Sequence, residues 1–234
     1  MSSAEALQLP EPEAGFLAET ASVPWRERPT ERSLRRREWR WTAWTVAIAT
    51  PFLAVAVLLV VLQPLLVIVS AWSLAHMVAI PAVYARRGVR SVVPLGSERS
   101  SAGEADYDAE GMALGLLGDL VGHEARELLA ETGLVLERGE LGVWLVGERG
   151  AMLVRGRGRR TDCWCARIAD AEGLPAADRV SHLLLALRED ELGFATVANM
   201  DFSGATWRVR GRLEKRSRPA LAAAQRVARD RARG

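Results

Sequence analysis

His76 stands out among the residues able to do chemistry because nothing near it in the chain is charged. It lies in residues 41–85, a run of about 45 residues without Asp, Glu, Lys or Arg, in a chain that is 26% charged. An ionisable group deep in an apolar segment is costly and is a functional candidate by default. Ser73, one helical turn earlier, makes Ser73 and His76 a candidate polar site. One histidine without carboxylates in the same run is too little for a transport pathway. A neutral imidazole hydrogen-bonded to Ser73 or to a neighbouring helix is the simpler role.

The other titratable constellations are weaker. Asp119, His123 and Glu127 share a helix face at i, i+4 and i+8. The outer pair would sit about 12 Å apart along a helix, too far to share one ion. A solvated face is the expectation, and no metal ligand is assigned. Cys163 and Cys165 flank Trp164 on an expected strand, which points both thiols to one face. Structural zinc takes four ligands, and the chain holds only these two cysteines. They read as small core hydrophobes. Asp119, Glu124, Glu127, Glu137, Glu148, Asp162 and Asp170 pair with no base or phosphate-binding loop in the sequence. No GxGxxG or GK[ST] pattern occurs. No catalytic residue and no cofactor is therefore assigned.

Two further patterns concern contact rather than reaction. Gly111, Gly115, Gly118 and Gly122 recur at helical spacing, followed by Ala125. Glycine inside a helix costs about 1 kcal/mol relative to alanine, so a stripe of it calls for close approach to another helix or a sheet. This is a candidate helix-packing face, serving either self-association or packing within the domain. The whole chain is close to neutral, with 31 basic and 29 acidic residues. Basic clusters are therefore local. One is Arg155, Arg157, Arg159 and Arg160; another runs from Arg208 to Arg233, opposed only by Glu214 and Asp230. Within it, Arg226, Arg229 and Arg233 are candidate contacts to anionic lipid headgroups, each worth about 1 kcal/mol near such a surface. Nucleic acid would use similar patches, but the apolar run makes lipid the favoured partner.

That run sets the architecture. As a helix it would be about 68 Å long at 1.5 Å per residue, whereas a bilayer core is about 30 Å thick and takes about 20 residues. Gln63-Pro64 marks a turn, since proline belongs at a helix start. Two membrane helices are expected over about 41–62 and 64–85. Arginines flank both ends (Arg35, Arg36, Arg37 and Arg40 before, Arg86, Arg87 and Arg90 after). Basic flanks stay cytoplasmic. Trp39, Trp41, Trp44 and Tyr84 fit an aromatic belt at that interface. Along the run, Ala71, Ala75 and Ala79 and the stripe Ala43, Ala47, Thr50 and Ala54 are small-residue faces that allow close helix packing.

The expected organisation is a disordered N-terminal tail with a basic juxtamembrane segment over 1–38, a transmembrane hairpin over 39–86, a linker over 87–106 and a cytoplasmic domain over 107–234. Within the domain, a helix over 109–132 precedes strands at 134–138, 142–147, 151–155 and 162–168. A helix over 175–189, strands at 192–199 and 205–213 with a turn at 201–204, and a last helix after Ser217 complete it. The fold class is a membrane α-helical hairpin plus a small cytoplasmic α+β domain with an antiparallel sheet and helices on one face. The chain reads as a multi-pass cell-membrane protein with both termini cytoplasmic. Its hairpin would anchor a non-catalytic interaction or regulatory domain at the inner leaflet. A membrane-tethered enzyme, hydrolase or nuclease-like, with its site in the α+β domain, is the alternative. The expected partners are the bilayer, anionic headgroups, and either a second copy or another protein.

Overall fold

The computed structural model describes residues 28–88, 95, 104–166, 168 and 173–233. The acidic tail expected over 1–25 and most of the linker lie outside the described residues. Helix α1 (Glu31–Leu62) starts ten residues before the uncharged run. Its start is fixed by a capping box. The Thr30 side chain accepts from the Ser33 amide at 3.2 Å, and Ser33 Oγ accepts from the Thr30 amide at 2.9 Å. Residues 31–38, expected only as a basic juxtamembrane segment, are thus helical. Arg35 pairs with Glu31 at i, i+4, which helps hold that first turn.

Gln63 ends α1 in extended conformation, and Pro64 opens a 3₁₀ turn, Pro64–Leu66, into α2 (Val67–Gly88). The two helices pack on each other as a hairpin. Both are long and apolar enough to cross a membrane, and nearly all their span residues are exposed. Ala56 and Ser70 are the buried positions of the described spans. Both small-residue stripes, Ala71, Ala75 and Ala79 on α2 and Ala43, Ala47, Thr50 and Ala54 on α1, are exposed. Neither stripe forms the contact within the hairpin.

The rest is an α+β domain. Its first helix is two helices, α3 (Glu104–Leu120) and α4 (His123–Thr132), broken at Val121-Gly122. Gly122 serves as the extended N-cap of α4, and Gly133 ends α4 at φ 71°, where a side chain would be strained. Five strands follow, β1 (Val135–Arg138), β2 (Val143–Gly147), β3 (Gly150–Arg155), β4 (Arg160–Cys165) and β5 (Asn199–Ala205). They form an antiparallel meander in the order β1-β2-β3-β4-β5. Strands β2 and β3 are buried throughout. Their continuous apolar runs show why: both faces are covered. Trp144, Val146, Ala151, Leu153 and Trp164 share one core with α3 and α5 (Ala176–Glu189). Val143, Leu145, Met152, Val154 and Cys163 share the other with α8 (Arg218–Arg231). Helices therefore lie on both faces, not one.

The end of the chain departs most from expectation. Residues 192–199 are not a strand but mostly the helix α6 (Glu191–Val197). Asp190 caps it, its Oδ1 accepting from the Gly193 amide at 2.7 Å. The Glu191 carboxylate accepts from the amides of Glu140 and Leu141 and from Trp144 Nε1. These long-range bonds outweigh the strand preference of Phe194-Ala195-Thr196-Val197. Strand β5 occupies the supposed turn and pairs with β4 through a one-residue bulge, Cys163 facing Phe202 and Trp164 facing Met200. The expected strand over 205–213 is the short helix α7 (Thr206–Arg210). The Thr206 amide turns away from the ladder to donate to the Arg159 carbonyl at 3.0 Å.

Candidate functional site

The N-terminal turns of α1 project beyond the apolar run and pack on the domain. Leu34, only 1% exposed, belongs to the same buried cluster as Trp164, Ala195 and Ala198. Arg37 Nη1 lies 3.0 Å from the sulfur of Met200 on β5. Beside this contact a cavity of about 830 Å³ opens between α1 and the segment from α6 to β5. Arg32, Arg36, Arg37 and Arg40 line its helix side. Trp164, Thr196, Asn199 and Met200 line its domain side. No Asp or Glu lines it among the described residues. A second groove lies across α1, where Arg35 and Trp39 face Arg155, Arg157 and the C-terminal end of α8 at Arg231. The basic segment before the run was read from the sequence only as a juxtamembrane flank. The spacing 32, 36, 40, which puts three arginines on one helix face, was the signal for more.

Other candidate residues have separate placements. Ser73 Oγ donates to the Phe52 carbonyl of α1 at 2.9 Å, tying the two hairpin helices together. His76 Nδ1 is 2.9 Å from the Trp72 carbonyl one turn back on its own helix. Its ring also stacks on Phe52, with centroids 6.1 Å apart. Both side chains are thus engaged in local structure, and no hydrogen bond joins them to each other among the described residues.

The four glycines do not form one buried face. Gly111 and Gly115 meet open space, Gly118 lies under the Arg126 side chain, and Gly122 is the cap between α3 and α4. Arg126 donates to the Gly118 carbonyl and pairs with Asp119. On the last helix, Arg226 and Arg229 are exposed, and Arg233 lies 3.8 Å from Asp230 in solvent. Much of the surrounding basic charge is structural. Arg216 donates to the carbonyls of Ala130 and Glu131 at the end of α4, where a cation suits the helix dipole. Arg231 donates to the Gly139 and Glu140 carbonyls. Arg208 is buried beneath the Phe202 ring, 5.0 Å from its centroid, and burial holds its guanidinium pKa below the usual range.

Of the acids weighed above for pairing with a base, Asp170 lies outside the described residues, and most of the others are partnered with cations. Glu137 pairs with Arg188, Glu148 with Arg179, Asp162 with Arg155, and Glu127 lies 3.7 Å from His123. Cys163 is buried and Cys165 half-buried, and neither is in a disulfide. Burial, with Asp162 beside it, pushes the Cys163 thiol well above its ordinary range. A thiol held neutral in this way is a poor nucleophile and metal ligand. No cluster of three His, Cys, Asp or Glu side chains suited to a metal occurs among the described residues. Comparison of the chain with family models, curated proteins and solved structures returned no match.

Proposed function

We propose that this chain is an integral membrane protein whose hairpin anchors a non-catalytic cytoplasmic interaction domain at the inner leaflet. One observation carries this reading: the helix α1 that supplies the first exposed apolar span also runs without a break into the core of the domain. Large apolar side chains such as Val61, Leu65, Ile68 and Trp72 face outward, a cost in water that a bilayer removes. The arginines of α1 and α8 gather at the domain end of the hairpin, as the positive-inside tendency requires of a cytoplasmic face. Trp44 and Tyr84 meet edge-on at the same end, 5.1 Å apart, where an interfacial aromatic belt would lie. The pairing of the domain's acids with arginines supports a binding role over catalysis.

Membrane anchoring is tested by washing membranes from cells expressing the full chain with alkaline carbonate. The protein should stay in the pellet and leave only with detergent. Release by carbonate alone would contradict insertion.

A further inference from the structure

We propose that the cavity between α1 and the α6–β5 segment binds a phosphate-bearing anion, held by Arg32, Arg36 and Arg40 with Trp164 at its domain wall. The proposal rests on the anchored reading for where the ligand comes from, but not for the site itself. Charge carries it, and a second observation describes the cavity's domain wall. Arg32, Arg36 and Arg40 fall at i, i+4 and i+8 on one face of α1 and line the cavity with Arg37, which is turned to Met200. Like charges at this spacing weaken a helix. Among the described side chains on this part of α1, the carboxylate, Glu31, is used by Arg35 in the second groove. A dianionic group between the three guanidinium forks would supply a counter-charge that no described acid lining the cavity provides, and phosphate is what such forks match best.

The second observation is an orphan donor. Trp164 is 1% exposed and lines this cavity, yet its indole Nε1 has no hydrogen-bond partner. Its neighbour Trp144, with ring centroid 5.0 Å away, donates Nε1 to Glu191. A buried donor without an acceptor is unfavourable and calls for a reason. The Nε1 atom itself is shielded from the cavity, so the indole supplies part of the wall and an anion meets the donor only if the ring turns. At about 830 Å³ the space is in the range of small-molecule sites, about 300–1,000 Å³, and exceeds what a bare phosphate needs. Arg40 directly precedes the apolar run. In an anchored chain the cavity therefore opens at headgroup depth, where a lipid phosphate monoester can enter as readily as a soluble phosphate.

The test uses the full chain in neutral detergent. Binding is measured for two probes: inorganic phosphate, by calorimetry, and phosphatidic acid against phosphatidylcholine, by retention of the lipid on the purified protein. The variant R32Q/R36Q/R40Q is compared with R226Q/R229Q/R233Q on α8. The site predicts that the α1 triple variant binds at least about tenfold more weakly, consistent with loss of charge-assisted bonds. The α8 variant should bind like wild type. Phosphatidic acid bound with this pattern and undisplaced by millimolar phosphate assigns a lipid headgroup. Phosphate bound with the same pattern, and competing, assigns a soluble ligand. Wild type that binds neither probe, or an α1 triple variant that binds as wild type does, overturns the site. If the triple variant does not fold, R36Q alone is read in the same way. Because the phosphate arm needs no bilayer, its outcome is separable from carbonate extraction, which tests the anchor.

Discussion

Asp162 lies wholly inside the domain and meets one cation, Arg155, which is 8% exposed, with Nε 2.5 Å from Oδ2. Taking a carboxylate out of water is tolerable only while its counter-charge stays. Arg155→Met should therefore cost about 3–5 kcal/mol, whereas Arg155→Met with Asp162→Leu should recover most of that loss. Urea denaturation of the two variants against wild type measures the difference. Cys163 sits next to this pair, and its thiol pKa is raised chiefly by burial. The sign follows directly: the native state keeps a proton that an unfolded thiol releases near pH 8.5. The stabilisation is complete below about pH 8.5 and is lost as pH rises above it. Stability should fall above that pH in wild type and fall less steeply in Cys163→Ala. A maleimide should modify Cys165 in the folded protein and leave Cys163 untouched until unfolding. At this scale the sequence was informative about the thiols, since alternation set Cys163 and Trp164 on opposite faces, where they lie in separate cores. It was silent about Arg155 and Asp162, because a buried ion pair between strand positions Arg155 and Asp162 looks like ordinary turn charge.

Among the elements, β1 to β4 were legible in the sequence because glycine turns separate short strand-like runs, α5 because Val180, Leu183, Leu184 and Leu187 share a helix face, and α8 because Pro219 opens it. Element α6 was not, because its identity is set by Asp190 as a cap and by Glu191 reaching loop amides across the fold, and such partners do not appear in a local window. The same limit hid the attachments of α1 and the linker. Leu34 and Leu95 are each buried in one of the domain's two cores. The Leu95 carbonyl accepts from the Glu148 amide at 3.1 Å. It lies so near Gly147 that a Cβ there would stand 2.2 Å from it. Gly147→Ala must therefore expel Leu95 or distort β2, and a loss of about 2 kcal/mol or more is expected. A fragment of residues 90–234 should be more stable than one of 104–234, by about 2–3 kcal/mol from burial of Leu95. Leu95→Ala in the longer fragment should remove most of that advantage. Equal unfolding midpoints of the two fragments would mean that Leu95 contributes nothing.

For the whole molecule, the apolar run, its turn at Pro64 and its arginine flanks were readable from composition. What composition could not show is that the flank before the run is itself a helix seated on the domain, because seating depends on Leu34 meeting Trp164 and Ala198 from a distant part of the chain. That seating makes the account depend on one topology: the ends of the hairpin and the domain share a side, and Gln63 is on the other. Cysteine labelling in intact cells tests it most directly. In a background of Cys163→Ala and Cys165→Ala, Gln63→Cys and Glu214→Cys place single thiols at the hairpin turn and at an exposed site on the domain. A membrane-impermeant maleimide should label Gln63→Cys in intact cells and Glu214→Cys only after permeabilisation. Labelling of Glu214→Cys in intact cells would contradict the account.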